Sequence, residues 1–155
     1  MDAHMAAAGI YARESSYLDR AVQLGVAGDR VISVSFPEGV PADADPDHPL
    51  LDRVEAYFEG AEDDFDDVEV GLTVPTNHRV VLEAVRNVPY GERVTVKRVL
   101  SMVPDTDPED SDARETARAA LASNPVPLFV PDHRVRDGPS GAPPEVVDRL
   151  RALES

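Results

Sequence analysis

The chain contains no cysteine and no tryptophan, only 5% aromatic residues, and a single lysine, Lys97, among its fifteen basic residues. Without sulfhydryl groups there is no disulfide framework, no thiolate metal site and no sulfur nucleophile, so any chemistry that needs a thiolate is excluded. His4 and His48 have no cysteine companions, and no zinc site or other cofactor is expected. No apolar run approaches the roughly eighteen residues needed to cross a bilayer, and no membrane partner is expected. The opening Met1-Asp2-Ala3-His4 lacks the basic start and long apolar core of a secretory signal, which makes the cytoplasm the expected location.

What is present is acid. Thirty Asp and Glu against fifteen Lys and Arg give a formal charge of -15 over 155 residues. Such a balance argues against a phosphate-rich partner until its distribution is read. Residues 1–75 hold seventeen acids and four bases, residues 76–155 thirteen acids and eleven bases, so the acidity belongs mostly to the front half. Abundant Asp with Arg in place of Lys resembles proteins of a cytoplasm rich in potassium chloride, where an acidic coat serves solvation. A 42% hydrophobic content fits one compact unit or two small ones.

Along the front half, Gly9-Ile10-Tyr11-Ala12, Ala21 to Val26 and the alternating Val31 to Phe36 read as short strands of an antiparallel meander, with a turn at Ala27-Gly28-Asp29-Arg30. Pro37 to Asp47 is a loop by composition. Asp47-His48-Pro49 then opens a helix with proline in its first turn, and Leu50, Leu51, Val54, Tyr57 and Phe58 form the apolar stripe that should cover the sheet. Gly60 to Asp67 reads as an acidic linker, and the boundary is placed to give an α+β domain over 1–70 and a second domain over 71–155.

The second half reads as helical. Thr76 is expected to cap a helix with Val80, Val81, Ala84 and Val85 on one side, ended before Val88-Pro89-Tyr90-Gly91. Thr95 should cap a second helix that buries Val96, Val99, Leu100 and Val103 and exposes Lys97 and Arg98. Asp112 and Glu115 have capping-box spacing and open a third helix, with Ala113, Ala117, Ala120 and Leu121 on one face and Arg114 and Arg118 beside it. Two like charges at i, i+4 are mildly unfavourable unless an anion lies opposite. Helix, turn, helix with bases on the last element is a helix-turn-helix pattern, of winged-helix type, and by itself a weak one.

A second signal is the run Asn124-Pro125-Val126-Pro127-Leu128-Phe129-Val130-Pro131-Asp132-His133-Arg134-Val135, taken with Val88-Pro89-Tyr90-Gly91-Glu92 and Leu150-Arg151-Ala152-Leu153-Glu154. It resembles the methylated-DNA–protein-cysteine methyltransferases, whose signature is Pro-Cys-His-Arg-Val after an Asn-Pro. The likeness covers residues 70–155 well, and His48 to Phe58 with Asp64-Phe65-Asp66 resembles the end of the family's N-terminal domain. It departs at the reactive atom, for Asp132 stands where the family has its cysteine.

The resemblance implies a site shell of Asn124, His133 and Glu154 around that position, with Tyr90, Asn124, Asp132 and His133 meeting a guanine rotated out of the duplex. Lys97, Arg98, Arg114, Arg118 and Arg134 would contact DNA, and the small residues Ala117, Ala119, Ala120 and Ala122 would allow the third helix close to the groove. Val96 stands where the family usually has tyrosine, and Glu115 where it has the arginine that enters the base stack, with Arg114 one residue away. The acidic loop Pro104 to Ser111 is longer than the family's turn, and the lid is reduced to Gly138-Pro139-Ser140-Gly141-Ala142.

The chain looks most similar to the alkyltransferase-like members, which lack the cysteine, bind alkylated guanine in double-stranded DNA without repairing it and flag it to downstream repair proteins. Two alternatives stay open. Asp132 accepts the alkyl group as an ester that water later cleaves, or the module is vestigial and has no DNA affinity, with Asp132 simply paired to Arg134 or His133.

Overall fold

The computed structural model describes residues 8–155; Met1 to Ala7, with His4 and the expected absence of a signal, lie outside the described residues. Three antiparallel strands, β1 (Ala8–Ser15), β2 (Arg20–Ala27) and β3 (Arg30–Ser35), form a meander in the order β1-β2-β3. Gly28, at φ 63, takes the left-handed position of the two-residue turn between β2 and β3. The strict alternation expected for Val31 to Phe36 does not hold. The register slips between Gly25 and Val26, where Gly25 faces Ser33 but Val26 faces Val31. A bulge adds one residue and flips the pattern, so Val31 and Val34 are buried while Ile32 stands 39% exposed.

Helix α1 (Pro49–Phe58) begins as expected: Pro49 needs no backbone donor there, and the His48 ring accepts from the Leu50 amide at 3.1 Å. Leu51, Val54, Tyr57 and Phe58 are buried. Phe58 stacks on Tyr17 beyond the end of β1, and Tyr11 of β1 meets His48 edge-on at 4.6 Å, which lays the helix against the strand.

The segment 60–67 is not a free linker. Arg53 clamps Asp63 and Asp67 at 2.9 Å each, and between them the Phe65 ring is 1% exposed, packed edge-on against Tyr57 at 5.4 Å and Phe129 at 5.1 Å. Asp63 and Asp67 are neutralised locally by Arg53 while the one aromatic turns in. Buried side chains on both sides of residue 70 form one continuous cluster, from Leu18 and Val22 to Val146 and Leu150.

Helices α2 (Thr76–Val85), α3 (Val96–Ser101) and α4 (Ser111–Ala122) pack against one another. Thr76 is the first helical residue and not a cap; Pro75 precedes it and no side chain caps that end. The buried face of α2 is Val81, Leu82, Ala84 and Val85, with Val80 37% exposed. Thr95 caps α3, its hydroxyl accepting from the Arg98 amide at 3.1 Å, and Val96, Val99, Leu100 and Val103 are buried as expected. The cap of α4 is Asp110, which accepts from the Asp112 amide, so the expected Asp112–Glu115 box lies a residue or two inside the helix.

A last helix, α5 (Pro144–Glu154), was not foreseen, although Pro144 at its first turn with Val146 and Leu150 four apart on its buried side is an ordinary start-and-stripe signal. The architecture is thus α+β: a small antiparallel sheet with a covering helix, then four further helices. No helix among the described residues is long and apolar enough to cross a membrane.

Candidate functional site

The segment from Asn124 to Val135 links α4 to a 3-10 turn, Asp132–Arg134, and is almost wholly buried. The sheet holds it from one side, where the Val34 amide donates to the Pro125 carbonyl at 2.8 Å. Its own turns hold it from within: the Asn124 side-chain oxygen accepts from the Val126 amide at 3.0 Å, and the Val130 amide donates to the Val126 carbonyl at 2.9 Å. Leu128 takes φ 83, a left-handed conformation that costs a bulky residue on the order of 1–3 kcal/mol and persists because its side chain is buried.

Two polar clusters flank this wall. In the first, Arg134 and Glu154 form a bidentate pair, Nε to Oε1 and Nη2 to Oε2, each 2.9 Å, with both side chains 3% exposed. The second terminal nitrogen of Arg134 donates to the Val88 carbonyl at 2.8 Å and to Asp64 at 3.2 Å. Glu154 also accepts from the Tyr57 hydroxyl and from His133 Nε2 at 2.9 Å. Burial alone would raise the Glu154 carboxyl, but the hydrogen bonds from His133 and Arg134 outweigh it and hold the group well below the usual carboxylate range. The same burial, with the Glu154 charge beside it, pushes the Tyr57 phenol up. Tyr90 lies at the margin, its ring edge-on to Tyr57 at 5.9 Å and 5.7 Å from the Arg134 guanidinium carbon. Arg151 of α5 fastens the turn by donating to the His133 and Val135 carbonyls.

The second cluster surrounds Asp132, which is 1% exposed. Its Oδ1 accepts from the Ser140 hydroxyl at 2.6 Å, and its Oδ2 accepts from the Gly141 amide at 2.8 Å and from Asn124 Nδ2 at 3.0 Å. All three donors are neutral. Burial therefore prevails and raises the Asp132 carboxyl above its ordinary value, against the opposing pull of Ser140, Gly141 and Asn124. Gly141 is required at its position, because a Cβ there would stand 2.2 Å from the Asn124 carbonyl oxygen. His133 Nδ1 is the one buried side-chain polar atom among the described residues without a partner.

The expected site residues thus fall into three groups. Asn124 and Asp132 come together in one cluster, while His133, Glu154 and Tyr90 share the other. Lys97, Arg98 and Arg118 are exposed on α3 and α4, and Arg114 is half-buried beside Arg118. Lys97 is paired at 3.1 Å with Glu109, which folds the acidic loop 104–110 back toward α3. Ala119 and Ala122 are exposed on α4, but Ala117 and Ala120 are buried in the core. Arg134 is a correction: expected to contact DNA, it is buried and committed to Glu154, Asp64 and Val88, with no free face for a phosphate. Nor does it pair with Asp132. Among the described residues no group of three or more His, Asp and Glu is arranged to hold a metal ion.

Residue-by-residue reading missed the roles of Tyr57, Asp64, Ser140 and Gly141. A serine between Pro139 and a glycine, eight residues after Asp132, is the available signal for the last two.

No family model matches the chain. It is 40% identical over 88 residues to the methylated-DNA–protein-cysteine methyltransferase of Methanopyrus kandleri, a match that covers 57% of the chain but 62% of that relative, less than two thirds of its length. It is 30% identical over 131 residues to the methylated-DNA–protein-cysteine methyltransferase of Methanothermobacter thermautotrophicus, covering 77% of the chain and 70% of the relative. Its fold is similar to that of the Mycobacterium tuberculosis protein named OGT solved in complex with DNA, with a TM-score of 0.67 and 24% identity over 93% of this chain and 89% of that one.

Proposed function

Because the chain belongs to the methylated-DNA–protein-cysteine methyltransferase family, we propose that it is a DNA-binding protein of DNA repair that receives an alkylated guanine, rotated out of the duplex, and does not transfer the alkyl group. The observation that carries this reading is the state of Asp132. At the place where the family signature has its cysteine stands a hard carboxylate, desolvated and already accepting three hydrogen bonds. Its hardness and the hydrogen bonds that tie up both oxygens lower its power to displace carbon from oxygen, and burial favours the protonated form, which has none, whereas a thiolate is soft and strongly nucleophilic.

In this reading α3 and α4 act as a helix-turn-helix, with α4 in the groove. Lys97, Arg98, Arg114 and Arg118 contact phosphate, and Glu115, Ala119 and Ala122 form the face nearest the bases. The rotated base meets Tyr90 at the margin, and reaches Asn124, Asp132 and His133, all three buried, only once the 138–142 loop has moved aside. The cytoplasm is the location that goes with it, and a downstream repair protein is the partner that a binder without chemistry requires.

The test is a titration of a duplex with and without a single O6-methylguanine at high potassium chloride, using wild type, Arg114→Ala and Asp132→Cys. Wild type is expected to prefer the modified duplex and to keep its mass, Arg114→Ala to bind both duplexes more weakly with the preference kept, and Asp132→Cys to gain one methyl group. A methyl gained at Asp132 in the wild type, or alkyl lost from the DNA, refutes the absence of transfer. Equal, negligible binding to both duplexes across a salt series refutes the DNA reading itself.

A further inference from the structure

The three donors on Asp132 converge from different parts of the chain: Asn124 from the end of α4, Ser140 and Gly141 from the loop that closes over the turn. Ser140 is itself oriented, since its oxygen accepts from the Ala142 amide at 2.9 Å while its proton goes to Asp132. A hydroxyl, a backbone N–H and a side-chain amide aimed at one small volume make an oxygen-binding cradle of the kind that stabilises a carbonyl or an anion. Here the volume is filled by the protein's own carboxylate. No cation shares it, because Arg134 is spent on Glu154 and Asp64.

We propose that Asp132 is an internal competitor: its carboxylate occupies an oxygen-binding cradle formed by Asn124, Ser140 and Gly141 and thereby latches the 138–142 loop shut over the site. The role of the latch rests on the reading that this wall receives a rotated base; the cradle does not. Removing the carboxylate frees the donors for the oxygen of a small carboxylate or for the O6 edge of a guanine. Keeping it makes any incoming base displace three hydrogen bonds first. Releasing them in part corresponds to an affinity change on the order of tenfold.

The full chain is compared as wild type, Asp132→Ala, Ser140→Ala and the double variant. Sodium formate is titrated while the Gly141 and Ala142 amide resonances are followed. Asp132→Ala is expected to show saturable shifts at both, the wild type none, and the double variant a weakened response. In parallel, Asp132→Ala is expected to bind the O6-methylguanine duplex about tenfold more tightly than wild type, with plain duplex unchanged.

A folded Asp132→Ala protein without a formate response overturns the cradle. One that responds to formate but binds the modified duplex no more tightly than wild type overturns the competition. Formate binding with no discrimination between duplexes by any variant refutes the base-receiving reading and the latch with it, and leaves the cradle standing. Should Asp132→Ala fail to fold, Ser140→Ala decides: hydrogen exchange at Gly141 at least fivefold faster than in wild type supports the latch, and unchanged exchange refutes it.

Discussion

Glu154→Gln is the sharpest perturbation of the wall behind the site. Glu154 and Arg134 are each 3% exposed, and their two 2.9 Å contacts are reinforced on Glu154 by His133 and the Tyr57 hydroxyl. Glutamine keeps the shape but removes the charge and turns an NH2 toward donors. Arg134 is then left with Asp64, a partner 41% exposed and 3.2 Å away. Breaking a buried ion pair by removing one member costs about 3–5 kcal/mol, because the remaining charge stays desolvated. That is a large part of the roughly 5–15 kcal/mol by which folded domains are stable, and at about 2–4 °C per kcal/mol it lowers Tm by roughly 6–20 °C. The assay is urea unfolding at fixed potassium chloride, with Asp64→Asn as control. The control should lose under about 1 kcal/mol, since its charge is partly solvated. A Glu154→Gln loss below 1 kcal/mol, or equal losses in the two variants, refutes the assignment of Arg134 to structure.

Gly141→Ala is expected to destabilise by about 1–3 kcal/mol, because its Cβ would meet the Asn124 carbonyl oxygen at 2.2 Å and must push the loop away; a chemical melt that overlays wild type contradicts the fit. Arg118→Ala should lower the slope of log Kd against log salt for any duplex by about 0.9 per lost phosphate contact, and a slope equal to wild type removes Arg118 from the interface. On acidification the two buried carboxyls act in opposite directions. Glu154, held below its ordinary value near 4.5, contributes stability that is complete above that pH and is lost as pH falls beneath it. Asp132, raised above 3.8, contributes stability present below 3.8 and lost as pH climbs through its folded-state value. Because Asp132 is common to both proteins, stability between pH 5 and 3 should fall more steeply in wild type than in Glu154→Gln; parallel curves refute the sign.

Local signals in the sequence located most elements, since His48-Pro49, Thr95 and Gly28 each act through bonds within a few residues. What was misplaced depended on distant partners. The bulge beside Ile32 has no signal within β3; it lies opposite β2, where Gly25 has no side chain to meet Ser33 and the register shifts before Val26. Phe65 lies in a stretch so acidic that composition reads it as linker, and only the Phe129 and Tyr57 rings, sixty-four residues on and eight back, explain its burial. Arg134 is the clearest case. The motif located the residue but not its direction, because Glu154, Asp64 and Val88 approach it from three separate parts of the chain.

The two carboxylates on this wall share burial and differ in company, and that difference assigns their work. Glu154 faces a guanidinium, an imidazole nitrogen and a phenol, so its charge is held and the group acts as a fixed post that orients His133. Asp132 faces a hydroxyl and two amides, which solvate a charge without cancelling it, so burial holds its carboxyl above the ordinary value. Such environments push the two carboxyls in opposite directions from their ordinary values. A substitution confined to Asp132 should leave the Glu154 post intact, so Asp132→Ala is expected to cost less stability than Glu154→Gln. If Asp132→Ala lost as much stability as Glu154→Gln, the two clusters would be one cooperative unit, and the separation would fail.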